Sequence, residues 1–448
     1  MIICCGEALI DMVRASIPGS GEAFLPLPGG SPYNTAVAIG KLGVPVKFLG
    51  RFSTDFFGEI LIKRLKENHV GDDLIIRSGQ NTTLAFVKLE KSKDPQYVFY
   101  TEGTADRSLR VEDLPPKLPV DTRCILFGSI AMTMEPLASA IEALILREGT
   151  RKSADQMDWA PITSFDPNIR PFMIKDRNAY IERFEKWIAA STIAKISSVD
   201  FDFIYPKLGP EQALQKILAM GPRLAISTLG PKGALALLRR NDGSITKVSA
   251  PVVDLPVVDT IGAGDTFHGA FLSWLEIKGK MTRSALVNLS EIDLYDALVF
   301  ANKAASIVCS RRGAEPPTRR EVDNLKITEP KAETKAKAAT AQKPVKKAAL
   351  AVKSSAKPAV KAVKTQAAKP KLKPAIKRAA RPAAKVVKTP VTKAKLKPAA
   401  KSAPKTAAKA VKTQAIKPKL SVKPAAKGAA KPTAKPNTVS AGKSGKKK

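Results

Sequence analysis

Two glycine-rich strings hold the residues whose types and spacing suit chemistry. In Asp259-Thr260-Ile261-Gly262-Ala263-Gly264-Asp265 a pair of glycines leads into an acid, just before the helical run Thr266 to Leu275. Glycine allows the tight turn that brings successive N–H groups together at a helix start. Such a start offers unpaired donors and the positive end of a dipole, which suits a phosphate. Asp265 beside that phosphate can take the proton of an attacking hydroxyl, while the backbone of Gly262, Ala263 and Gly264 holds charge on the group in flight. The chemistry is phosphoryl transfer to an alcohol. Alone, the string also reads as a turn with Asp265 capping a helix.

The second string is Gly29-Gly30-Ser31-Pro32-Tyr33-Asn34, a glycine-rich loop opening a small-residue helix that stops at Gly43. Together, in this order, the two strings resemble the signatures of the PfkB (ribokinase-like) carbohydrate kinases. The resemblance spans residues 1 to about 320. It implies a three-layer α/β/α sandwich with a small β lid from about residues 12–30 and 82–105, with ATP and Mg2+ as cofactors and, in many relatives, K+. No Walker-type G-x-x-x-x-G-K-[ST] occurs, so a P-loop kinase is excluded.

Residue by residue, the resemblance assigns Asp265 as general base and Asp11, Gly30 and Asn34 to the sugar. Asp11 also reads as an acid in a strand-to-loop turn, and Asn34 as a helix-starting residue. Phe165-Asp166-Pro167-Asn168-Ile169-Arg170 and Tyr100 to Arg107 look most like fructokinases and add Asn168 and Arg170 to the substrate side. The implied substrate is D-fructose, with 2-keto-3-deoxygluconate, ribose or a nucleoside as alternatives. Thr228, Gly230 and Gly233 resemble the family's nucleotide loop, although Gly-Pro is also an ordinary turn. Asn302 and Gly313 match positions that enclose the adenine, and Asn302 equally suits a helix surface. Two departures stand out. Ser197-Ser198-Val199-Asp200 replaces the usual N-x-x-E near magnesium, leaving Asp200 to order metal-bound water. Ser53 stands where glycine is common, which implies a local backbone change. Asp259 and Thr260 fall at the monovalent-cation position. A homodimer through the lid is a further implication.

These residues need a scaffold. Met1 to Leu9 reads as an apolar strand leading to Asp11, Val44 to Leu49 as another, and Pro251 to Val258 as a strand ending at the phosphate turn. Leu84 to Glu90 and Tyr97 to Tyr100 read as lid strands joined at Ser92 to Pro95. Further strands at 124–127, 162–166, 193–196 and 224–228 alternate with helices at 59–68, 135–147, 179–190 and 211–220. That alternation predicts a largely parallel sheet, in which ligands meet strand carboxyl ends. Asp11, Asp166 and Asp259 are each expected at such an end.

Composition breaks near Lys326. Residues 326–448 hold 36 of the 75 Lys and Arg but only Glu329 and Glu333 among the 40 acids, so nearly all of the +35 charge lies there. This stretch has no aromatic residue, His or Cys, and its prolines and like charges oppose continuous helix. It reads as a disordered basic tail, 326–448, following a kinase domain, 1–325. The tail looks like those of linker histones and histone-like bacterial proteins, and points to non-specific nucleic-acid binding. A nucleoid protein with a degenerate kinase domain is the rival reading. Cys4, Cys5, Cys124 and Cys309 sit in apolar runs without zinc spacing, and neither a signal peptide nor a membrane span is apparent, so a cytoplasmic setting is expected, with association with the nucleoid as the option the tail adds. His268 is expected as a packed histidine and His69 as a surface one; two histidines give little support to Ser-His-Asp catalysis.

Overall fold

The first nine residues, expected as one strand, are divided by Gly6. A computed structural model describes residues 1–17, 21–88, 96–149 and 160–326. In it β1 (Ile2–Cys5) enters a large sheet, and β2 (Leu9–Ile17) enters a separate small one. Gly6 turns the chain between them at φ 156°, and a Cβ there would lie 2.5 Å from the Pro32 ring. Only glycine fits this bend.

The small sheet adds β3 (Gly21–Gly29), after which α1 (Ser31–Lys41), β4 (Val46–Ser53), α2 (Phe56–Glu67) and β5 (Val70–Ser78) return the chain to the large sheet. β6 (Thr83–Lys88) and β7 (Gln96–Tyr100) complete the small one, in the order β3-β2-β6-β7. The large sheet continues with β8 (Cys124–Gly128), α3 (Leu137–Gly149), β9 (Ile162–Asp166), α4 (Arg177–Ala189) and β10 (Ile193–Ser197). Next come α5 (Ser198–Ile204), α6 (Pro210–Met220), β11 (Leu224–Thr228), β12 (Ala234–Arg239) and β13 (Ile245–Ala250). Helices α7 (Ala263–Ile277), α8 (Arg283–Val287), α9 (Glu291–Cys309) and α10 (Arg319–Asn324) follow.

The nine strands run β13-β12-β11-β10-β9-β8-β1-β4-β5, all in one direction except β12, which is antiparallel to both its neighbours. Burial on both faces explains the unbroken apolar strands. In β1, Ile2 and Cys4 face one core with α1, α7 and α9, whereas Ile3 and Cys5 face the other with α3, α4 and α6. This is the three-layer α/β/α sandwich with a small β lid, a ribokinase-like fold. The tail, 327–448, and the lid turn at 89–95 lie outside the described residues.

Two expected strand positions are corrected. Asp11 does not follow β1: it lies inside lid strand β2, opposite Leu27 of β3. Residues 251–258 form no strand. Pro251 and Pro256 lack N–H donors, and neighbouring backbone groups are claimed by α9. Asn302 Nδ2 donates to the carbonyls of Ala250 (3.1 Å) and Pro251 (2.9 Å), and Val258 and Asp259 N–H both donate to the Cys309 carbonyl. Asp259 therefore sits on a loop, and of the three acids only Asp166 ends a sheet strand.

Candidate active site

Strand ends, the α1 and α7 N-termini and the lid converge on two adjoining cavities, of about 280 and 710 Å³. Asn168, Lys195, Thr260 and Gly264 line both. The smaller contains Glu7, Asp11, Gly30, Ser31, Asn34, Arg170 and Asp265, with Phe99 of the lid above. The larger is more apolar. Val253, Leu255, Phe267 and Ala305 line it together with Thr228, Gly230, Gly233 and Asn302.

Asp265 lies in the first turn of α7, buried, where two side chains from the start of α1 hold it. Ser31 Oγ donates to Oδ1 at 2.6 Å and Asn34 Nδ2 donates to Oδ2 at 3.0 Å. Burial raises its carboxyl above the ordinary value, opposed by those two hydrogen bonds. Gly262 caps α7 in the left-handed region, φ 76°, and a Cβ there would meet Ala314 Cβ at 2.7 Å. The first i→i−4 bond of the helix runs from Thr266 N–H to the Gly262 carbonyl, so the amides of Gly264 and Asp265 precede the hydrogen-bonded ladder. Ala263 differs from expectation. Its N–H already donates to the Thr260 carbonyl at 3.2 Å, because the turn before the helix closes on itself.

Across the smaller cavity from Asp265, the lid supplies Asp11, whose carboxyl burial pushes up to about 7, with Arg170 opposing and Asp265 reinforcing. Gly29 has to be glycine, since a Cβ would fall 2.1 Å from Asp11 Oδ2. Arg170 Nη1 donates to Asn168 Oδ1 at 2.7 Å, and Asn168 itself bends the chain at φ 35°. Asn34 lines the smaller cavity, and its Oδ1 is buried without a hydrogen-bond partner in the described structure.

Three expected site residues also brace the backbone around the cavities. Gly313 does not line the larger cavity; its N–H donates to Asp259 Oδ2 at 2.9 Å. Asp259 Oδ1 accepts from Ile261 N–H at 3.0 Å, so both its oxygens are taken by amides that shape the phosphate turn. Thr260, the other residue expected at a monovalent-cation position, lines both cavities. Asp200 lines the larger cavity, but its carboxylate accepts from Ile169 N–H (2.8 Å) and from Ser197 Oγ (2.7 Å), capping α5. Asn302 reaches the cavity wall as expected, its amide spent on the two carbonyls described above. Ser53 Oγ accepts from Asp55 N–H at 2.9 Å, a local turn.

Sequence reasoning missed Glu7, Ser31 and Lys195. Glu7 Oε1 accepts from Ser31 N–H (3.0 Å) and Oε2 from Ala131 N–H (3.2 Å), and burial pushes its carboxyl up to about 8. Lys195 Nζ donates to Asp166 Oδ2 at 2.8 Å. Burial favours neutral Asp166, but the ammonium overrides it and holds the carboxyl at about 2. His268 is packed, as expected, with Nε2 2.7 Å from Ser164 Oγ. A signal for two of the missed residues was present: Glu7 and Lys195 are charges within apolar strand runs, where an unpaired charge is costly.

A carboxylate in the first turn of a helix, lining a polar cavity that adjoins a larger and more apolar one, fits a phosphotransferase that acts on an alcohol. The chain belongs to the pfkB family of carbohydrate kinases, whose family model matches residues 1–321. It is a carbohydrate kinase. It is 35% identical over 291 residues to a fructokinase of Rhizobium leguminosarum bv. trifolii, covering 65% of this chain and 84% of that one. It is 31% identical over 338 residues to probable fructokinase-5 of Arabidopsis thaliana, covering 74% and 98%. Among solved structures it is similar to fructokinase with bound ATP from Xylella fastidiosa, with TM-score 0.63, 27% identity and 75% and 98% coverage.

Proposed function

We propose that this kinase transfers the γ-phosphoryl group of ATP to D-fructose, giving fructose 6-phosphate. One observation carries the reading: Asp265, in the first turn of α7, lines the polar, sugar-sized cavity, and its neighbour Gly264 lines both that cavity and the larger, nucleotide-sized one. The sugar is held by Asp11, Arg170 and Asn34, which line the smaller cavity together. Asp265 removes the proton of the attacking hydroxyl, and amides of the α7 first turn stabilise the transferring group. The relatives named fructokinase support fructose as the acceptor, and the ATP-bound relative supports the nucleotide. Magnesium enters with the nucleotide and neutralises phosphate charge. Asp200 would suit a water-mediated contact to it, since its Oδ1 accepts a single bond and retains a lone pair beyond the three bonds that fix the carboxylate. A coupled ADP-release assay with fructose, ribose, 2-keto-3-deoxygluconate and nucleosides tests the assignment. Fructose should give the highest kcat/KM, and a different best sugar would replace it.

Two interactions extend the proposal. The outer face of the lid carries Phe24 and Tyr100, each packed on Phe86 yet 48% and 60% exposed. We assign this face to a homodimer. The Lys-rich residues 326–448 bind nucleic acid without sequence preference. Four free thiols and a helix set with no membrane-length apolar helix among the described residues accord with a cytoplasmic enzyme, nucleoid-associated through its tail.

A further inference from the structure

A third cavity, of about 220 Å³, opens at the end of the large sheet away from the active site. Thr192, just before β10, and Arg223, just before β11, line it with Asn241, which follows the antiparallel β12. The active-site residues Ser197 and Thr228 end those same parallel strands. A strand of this length, at about 3.3 Å per residue, puts roughly 16 Å between the two sites.

Two guanidinium groups, Arg223 and Arg283, line this cavity, and no acid does among the described residues. Elsewhere, partly buried arginines meet carboxylates. Arg51 Nη2 lies 2.6 Å from Asp113, Arg64 Nη2 3.1 Å from Glu315 and Arg183 Nη1 2.6 Å from Glu135. Neither cavity arginine has such a partner among the described residues, and the Arg223 side chain makes no hydrogen bond to them. Arg283 Nη2 donates to the Gly149 carbonyl at 3.0 Å, but its Nε is buried without an acceptor. Burial alone draws the Arg283 guanidinium below its ordinary value, with no carboxylate acting in the other direction. An unmet buried donor on a cation costs free energy, which an anion in the cavity would recover. The wall acceptors, by contrast, are taken. Helices α3, α4 and α6 end here, and besides Gly149 the carbonyls of Ala190 and Gly221 accept from Thr163 Oγ1 (2.8 Å) and Arg239 Nη2 (3.0 Å).

We propose that this cavity is a second anion site, in which Arg223 and Arg283 hold the phosphate group of a small phosphomonoester and the Asn241 amide assists. Planar guanidinium groups present paired N–H donors that match phosphate oxygens. No aromatic residue lines the cavity among the described residues, so a nucleotide base would find no ring to stack on. Its volume approaches the 280 Å³ of the polar active-site cavity, which suits a phosphate carrying a short carbon chain. The competing view is that these arginines only cap helix carboxyl ends. That accounts for Arg239 and for one nitrogen of Arg283. It leaves Arg223 and Arg283 Nε without a role.

The test uses the full chain with its active site filled by fructose and a non-hydrolysable ATP analogue. Inorganic phosphate or glycerol phosphate is titrated at constant ionic strength while the melting temperature is followed. Both should raise it saturably, glycerol phosphate at the lower concentration. Arg223→Gln breaks no bond among the described residues and should move the midpoint to about 10–100-fold higher phosphate. Arg223→Gln/Arg283→Gln should abolish the response. The basic tail is the same in all three proteins, so anions bound there cannot produce the difference. Without phosphate, Arg223→Gln should melt near wild type; a large drop would make Arg223 a structural brace and overturn its place in the site. No response in wild type, or equal responses in wild type and variants, would overturn the site itself. A response to inorganic phosphate alone would overturn the phosphomonoester assignment.

Discussion

Asp265 is held by two α1 side chains in a buried site, which sets the pH response of this enzyme. Asp265→Asn keeps the shape and removes the base, so kcat should fall about 10²–10⁴-fold with nucleotide binding retained, measured by ADP release and calorimetry. Asp11→Ala should raise KM for sugar far more than KM for ATP; equal increases would make Asp11 a fold residue. Burial raises Asp11 to about 7 and Glu7 to about 8. Folding therefore favours their protonated forms. Their contribution to stability is complete below the unfolded carboxylate range and is lost as pH rises through 7 and 8. Activity has the opposite slope, because Asp265 must be ionised to act. Melting temperature should decline across the pH interval in which kcat/KM rises, and Asp11→Asn should flatten the part of that decline near pH 7.

At the scale of elements, the two α7 glycines should respond differently. Gly262 is at φ 76° with Ala314 pressed against it, so Gly262→Ala should cost about 1–2 kcal/mol from the backbone alone and lower the melting temperature. Gly264 has ordinary helical backbone, and its Cβ would meet the Lys195 amine instead. Gly264→Ala should melt near wild type but turn over more slowly. The sequence made most elements legible because each apolar run in the parallel sheet is buried on both faces, and β8 to β11 fall within a residue or so of expectation. It failed where tertiary bonding overrode pattern. Residues 251–258 look like a strand, but Asn302 and Cys309 take the hydrogen bonds that a neighbouring strand would have received. The apolar stretch from Ile2 to Ile10 has no pattern that marks the bend at Gly6, which is set by the Pro32 ring packed against it. Of the site, Asp265, Asp11, Asn34 and Arg170 were readable from motifs. Ser31 was not, since its role depends on a carboxylate 234 residues away.

For the whole molecule, the described fold closes on itself before the basic stretch. α10 packs Val322 into the core, and its Thr318–Glu321 capping box fixes the last helix. A truncation ending near Asn324 should keep its melting temperature and kinase activity. The full chain should bind DNA and RNA of unrelated sequence, and the truncation should not. Engagement of 6–10 phosphates implies an affinity loss of about 10³–10⁵ between 50 and 200 mM salt. A flat salt response in gel-shift titrations would refute the nucleic-acid role.

The grip of Ser31 and Asn34 on Asp265 bears on thrift. Water is small, abundant and always able to compete as acceptor for the phosphoryl group. A base whose two oxygens are already engaged by α1 is poorly placed to activate a molecule that makes few contacts of its own. A sugar that binds Asp11, Arg170 and Asn34 together can use that binding to bring its hydroxyl onto the same carboxylate. The lid strand β3 runs directly through Gly29 and Gly30 into Ser31, so whatever seats the lid also seats the groups that restrain the base. On the proposed mechanism, idle hydrolysis of ATP is discouraged by the same few residues that admit the proper acceptor.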